Sequence, residues 1–269
     1  MMGRLVAAFA LAALLAAPAS AMPPQVFERE VHVGGRIVRA LCTPGPGQAL
    51  LLQDAGAGAD EWRAVLERLD GVVGACAYDR SAAGEEPSTP RGWFELMDDM
   101  RRVHDALGFA RGYTLVGHST GGLYARLYAA DRPTDVGGLV LVEPSHEDMP
   151  EEAKLAMPPV AWEEWMRRRR LPNADGVRET EVAKRMRESR LRDVPVTVIT
   201  ATRRPDGAGW NARLLNEAAR RVHATVLEGV THGRHVPAGR SGTDVHLEQP
   251  ELVAREIVRL TRPAGGSDE

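Results

Sequence analysis

Apolar and polar positions along this chain follow two periods in turn. Residues 26–33 alternate, Gly34-Gly35 offers a two-residue turn, and residues 36–41 follow, which predicts a β-hairpin. Short apolar runs at 49–53, 74–78, 113–116, 136–142 and 194–200 have strand character. Between them the spacing becomes helical, at 61–69 with Trp62, Val65 and Leu69 on one face, at 93–107, and at the small-residue stretch 123–130. Residues 251–260 form a closing amphipathic helix and 261–269 a polar tail. Leu215, Val222 and Val226 make 213–228 helical and leave 234–238 as the final strand; the competing assignment makes 224–227 the last strand, with His232 behind it. Strands alternating with helices at these lengths predict an α/β protein with a mostly parallel sheet covered on both faces. From 145 to about 190 the alternation breaks into a charged helical stretch punctuated by Pro150, Pro158, Pro159 and Pro172, which predicts an insertion.

The first 21 residues change the picture of where the protein works. Arg4, an apolar run at 5–17 and the small-x-small pattern Ala19-Ser20-Ala21 predict a signal peptide over 1–21 and export to the periplasm or the exterior. The apolar run is short of the about 20 residues that span a bilayer, and no cysteine follows the cleavage point, so no stable membrane anchor is expected. The remaining chain, 22–269, is long enough for one large domain. Net charge is −3 with scattered basic residues, which argues against nucleic acid as a partner. The one basic run, Arg167-Arg168-Arg169-Arg170, follows Trp162-Glu163-Glu164-Trp165 and reads as a solvated helix face. Cys42 and Cys76 are the two cysteines; export favours a disulfide over two buried thiols. His232-Gly233-Arg234-His235 has ligand-like spacing but no companion acid or helix, so neither a metal nor another cofactor is expected. Nothing in the sequence sets an oligomeric state.

Chemistry enters at Leu115-Val116-Gly117-His118-Ser119-Thr120-Gly121-Gly122. An apolar strand must turn at once into a helix there, with Ser119 at the turn and glycines where side chains would clash. Such a turn lifts a serine hydroxyl above the sheet and points a helix N-terminus at developing negative charge.

This elbow resembles that of the α/β-hydrolase fold superfamily, and the chain looks like an exported serine esterase-like member. The resemblance implies a sheet of about eight strands and a small helical cap in the 145–190 insertion. In Leu50-Leu51-Leu52-Gln53-Asp54-Ala55-Gly56-Ala57-Gly58, Ala55-Gly56 stands for the family's His-Gly, which makes Ala57 and Thr120 the expected oxyanion-hole donors. Cys76-Ala77-Tyr78-Asp79-Arg80 is similar to the family's segment after the fourth strand, and the family's strand order would make the strands of Cys42 and Cys76 neighbours, which favours the disulfide.

For the acid of a triad, Glu143 at the end of 136–142 is preferred over Asp206. The histidine is where the chain departs from the family. In Ser241-Gly242-Thr243-Asp244-Val245-His246-Leu247-Glu248-Gln249-Pro250 the catalytic position holds Thr243, which cannot act as a base near neutral pH. Three alternatives follow: His246, His232, or no triad histidine. The expected activity is hydrolysis of an ester or related acyl bond of a small molecule, Ser119 attacking, His246 relaying the proton and Glu143 orienting it. A dehalogenase is disfavoured because its nucleophile would be aspartate. The rival expectation is a hydrolase-fold binding or scaffold module that has lost catalysis.

Overall fold

A computed structural model of the chain describes residues 24–81, 90–203 and 210–261; the leader at 1–21 and Asp206 lie outside these. Strand β1 (Phe27–Val33) turns through Gly34 and Gly35, at φ 55° and 84°, into the antiparallel β2 (Arg36–Thr43). Both central residues of this turn need positive φ, which glycine supplies without steric cost. The remaining strands are β3 (Gln48–Leu52), β4 (Gly74–Tyr78), β5 (Tyr113–His118), β6 (Val136–Val142), β7 (Val196–Ala201) and β8 (Gly233–Ala238). They form one eight-stranded sheet in the order β1-β2-β4-β3-β5-β6-β7-β8, parallel from β4 to β8.

The helices are α1 (Arg63–Leu69), α2 (Trp93–Leu107), α3 (Thr120–Asp131), α4 (Met149–Ala156), α5 (Pro159–Arg169), α6 (Glu179–Arg187), α7 (Trp210–Thr225), α8 (Val245–Glu248) and α9 (Pro250–Thr261). Alternate residues of β3 serve two cores. Leu50 and Leu52 pack with Leu115, Met100 and Tyr128 on one face, while Ala49 and Leu51 pack with Val116, Trp62 and Ile257 on the other. Both faces are therefore dry, which explains the unbroken apolar runs of β5 and β7.

Cys42 and Cys76 face each other directly across the antiparallel β2–β4 pair and are joined by a disulfide, their Cα atoms 4.1 Å apart. Three helices, α4 to α6, fill the stretch between β6 and β7, and Pro150 and Pro159 sit in first turns, where a missing N–H costs nothing. Residues 224 and 225 end α7, so no strand runs over 224–227. His232 lies just ahead of β8, its carbonyl accepting from Val196 N at the start of β7. In a parallel sheet that is the edge opposite the one Ser119 tops, so His232 cannot be a histidine of this site. Among the described residues no helix is long and apolar enough to cross a membrane.

Candidate active site

Ser119 joins β5 to α3 at φ 53° and ψ −120°. Holding a serine there costs on the order of 1–3 kcal/mol, which the surroundings must over-determine. The glycines allow it. A Cβ on Gly117 would lie 2.4 Å from the Gly121 carbonyl oxygen, and one on Gly121 would lie 2.5 Å from the carbonyl oxygens of Leu52 and Gln53. Ser119 N donates to Val142 O at 3.1 Å and Ser145 N donates to Ser119 O at 2.8 Å, which pins the turn to the end of β6.

Glu143, one residue past β6, is the other non-glycine residue with positive φ among the described residues, at 47°. Its Oε1 accepts from Ala201 N. Burial pushes its carboxyl up to about 7, with the Ala201 N–H and Arg220 offsetting part of the effect. The nearest histidine to it is His223, whose Nδ1 lies 3.9 Å from Glu143 Oε1. That ring is committed elsewhere, to Thr200 Oγ1 at 2.9 Å and as donor to Pro144 O at 3.0 Å, and burial lowers its pKa to about 4.

His246 is fully buried and turned away from Glu143. Its ring lies 4.2 Å from that of His118 and 4.8 Å from that of Trp62, and its Nε2 is 3.4 Å from Glu61 Oε2. The expected Glu143–His246 pair is therefore not assembled: the short helix α8 carries His246 into the core beneath Trp62, where its acid partner is Glu61. His118 donates from Nε2 to Thr243 O at 3.2 Å, and burial, helped by neighbouring His246, lowers its pKa to about 4. Glu61, His118 and His246 offer ligand atoms within 4.8 Å of one another. Tetrahedral zinc holds neighbouring ligand atoms about 3.3 Å apart, so these rings would have to move to bind it.

Thr243 and Glu143 instead line one cavity of about 210 Å³, with Thr200, Arg203, Asp244 and Glu248 around them. That is room for several waters. A larger polar cavity of about 450 Å³, bounded by Arg126, His146, Arg187 and Arg192 among others, includes none of the elbow residues.

The loop after β3 departs from the expected donor pair. Ala57 N donates to Asp54 O at 3.2 Å, closing a turn, and so is not available to a substrate. The N–H that converges with Thr120 N is that of Ala55, two residues earlier. Both donate to Asp54 Oδ1, at 2.9 Å from Ala55 and 3.2 Å from Thr120, and the Thr120 hydroxyl donates to the same oxygen at 2.7 Å. Burial acts to raise the Asp54 carboxyl, but these three donors and nearby His118 outweigh it and hold the group below the ordinary carboxylate range. Asp54 was visible in the sequence only as an acid inside the donor loop; its contact with Thr120, 66 residues away, was not.

Beneath this loop Arg80, fully buried, donates from Nη2 to Gln53 O at 2.7 Å and to Asp54 O at 2.9 Å. Its charge is met by Asp175 at 3.1 Å, from the stretch between β6 and β7.

This arrangement of a strained serine on a strand–helix turn, with main-chain N–H groups beside it, accords with a family match across residues 48–237: the chain belongs to the α/β hydrolase fold family. Among solved structures, the haloalkane dehalogenase DatA from Agrobacterium tumefaciens C58 is 17% identical, covering 87% of this chain and 97% of its own, with a TM-score of 0.60. The naproxen esterase (carboxylesterase NP) of Bacillus subtilis is 14% identical over 89% of this chain and 93% of its own, at a TM-score of 0.57. Carboxylesterase CesB of Bacillus subtilis is 15% identical over 91% and 94%, also at 0.57. At such identities the likeness is one of fold. A stretch of 112 residues is 31% identical to the "Probable transporter efuK" of Hormonema carpetanum, covering 38% of this chain and 16% of that protein's length.

Proposed function

We propose that this protein is an exported hydrolase that attacks an ester or related acyl bond of a small molecule through Ser119, with an incomplete proton relay. The observation that carries this reading is the strained Ser119 backbone, held by three glycines that leave no room for side chains. The donors beside it are Ala55 and Thr120 N–H rather than Ala57 and Thr120. Neither His246 nor His232 is placed to take the serine proton, and Thr243, at the family's histidine position, shares its cavity with Glu143. Attack by Ser119 would have to release its proton to water, which makes turnover slow. The helical stretch 145–190 serves as the cap that shapes the acyl pocket. The Cys42–Cys76 disulfide fits an oxidising compartment.

The same threonine supports a second reading, a hydrolase-fold binding module without catalysis. Short-chain aryl ester turnover and fluorophosphonate labelling separate the two. Slow turnover that Ser119→Ala abolishes is the expected result, and Thr243→His, which has the cavity beside Glu143 to enter, should raise it by about 100-fold. Turnover and labelling absent from wild type and from Thr243→His alike would favour the binding module.

A further inference from the structure

The donors beside Ser119 already hold an anion. Asp54 Oδ1 accepts from Ala55 N, Thr120 N and Thr120 Oγ1 at 2.9, 3.2 and 2.7 Å, the distances at which such donors hold an oxyanion. We propose that Asp54 is a built-in plug of this site: the Ala55 and Thr120 N–H groups form a binding site for carboxylate or phosphonate oxygens that opens only when the Asp54 side chain swings out. The proposal rests on the Ser119 reading for its catalytic consequence, but the anion site itself does not need Ser119 to react.

The plug follows from position and charge. One oxygen atom takes all three donors, so a substrate oxyanion cannot reach the N–H pair without displacing it, and two negative oxygens cannot share the place. The plug also has a holder. Arg80 grips the carbonyls of Gln53 and Asp54 from below, Asp175 neutralises Arg80, and the loop lies so close to the 173–177 turn that a Cβ on Gly56 would come within 2.9 Å of the Ala174 Cβ. The main chain is thus clamped while the Asp54 side chain is tied only by the donors it blocks. Those donors hold the carboxyl below the ordinary range, so mild acid leaves the plug charged and in place. A purely structural role is the alternative: Asp54 capping the start of α3 and nothing more.

Calorimetric binding of phenylphosphonate and butyrate in a Ser119→Ala background tests this without any turnover. Adding Asp54→Ala should tighten both by at least ~10-fold, because Thr120 N–H is freed, Ala55 N–H is left with only the Thr120 hydroxyl at 2.9 Å, and the like charge is removed. Asp54→Asn, whose amide oxygen can still take the donors, should gain much less. Asp54→Ser is read in place of Asp54→Ala should the latter not fold. No gain in a folded Asp54→Ala or Asp54→Ser protein overturns the plug. With Ser119 intact, Asp54→Ala should label with fluorophosphonate at least ~10-fold faster than wild type. Tighter anion binding without labelling would keep the plug and sink the serine-hydrolase reading. Wild type labelling as fast as Asp54→Ala, with unchanged anion affinity, would sink the plug and keep the hydrolase.

Discussion

Ser119 and Glu143 end neighbouring strands, and both hold positive φ without being glycine. Their strain has different company. Ser119 is given space by glycines, whereas Glu143 is buried with a main-chain N–H and a preoccupied histidine nearby. Its pKa is raised from an ordinary 4.5 to about 7, so between those values the folded chain holds a proton that the unfolded chain releases. Stability from this group is therefore full below about 4.5 and is lost as pH rises to about 7. Glu143→Gln should remove that slope and gain on the order of 2 kcal/mol relative to wild type at pH 8 compared with pH 5. Urea denaturation of both proteins at the two pH values checks it, and parallel curves would refute it. The sequence showed the strand–helix turn at Ser119 with its glycines and the strand that ends before Glu143, because each sits inside a short local pattern. It misassigned the donor at Ala57, since which N–H of a turn faces inward depends on a register that the glycines of 55–58 leave free. His246 failed for a related reason: a single turn of helix decides whether a side chain faces the site or the core.

At the scale of elements, the antiparallel pair β2–β4 is where the covalent tie lies. The disulfide closes a separation of 34 residues, and the bond links the hairpin to the parallel part of the sheet. The paired substitution Cys42→Ala/Cys76→Ala should cost about 2–4 kcal/mol in urea denaturation while the fold persists, most of it through a less constrained unfolded chain. A change under about 0.5 kcal/mol would mean the β2–β4 ladder alone fixes the edge. The strands and helices themselves were legible wherever a period was sustained: β4, β6 and α2 fall on the residues their apolar spacing marks. The competition at 213–238 was settled by the helical spacing of Leu215, Val222 and Val226, and the outcome moved His232 to the far edge of the sheet. β7 starts at Val196 rather than 194 because Pro195 has no N–H to give a neighbouring strand.

Across the whole molecule, the stretch between β6 and β7 returns to α3 and the loops after β3 and β4, and no periodicity could have shown where it touches down. It does so at residues 173–177. Asn173 Nδ2 donates to Tyr124 OH on α3 at 2.8 Å, Arg91 Nε donates to Asp175 O at 2.6 Å, and the Asp175 carboxylate meets Arg80 at 3.1 Å, with both side chains almost wholly buried. Arg80 was visible only as part of a family-like segment; its partner lies 95 residues away. A buried ion pair contributes little over a well-packed apolar pair, because both charges have lost their water, but breaking it leaves one charge stranded. Asp175→Ala should therefore cost about 3–5 kcal/mol, whereas Arg80→Met/Asp175→Leu should recover a large part of that loss. The loop carrying Asp54 would lose its grip from below in both variants, because the Arg80 bonds to Gln53 O and Asp54 O need a held guanidinium. Denaturation of Arg80→Met, Asp175→Leu and the double variant, closed as a cycle with wild type, gives the coupling directly. A coupling below about 1 kcal/mol would mean that the turn at 173–177 is held by its main chain and Asn173 alone, and that Arg80 serves the loop without help from the insertion.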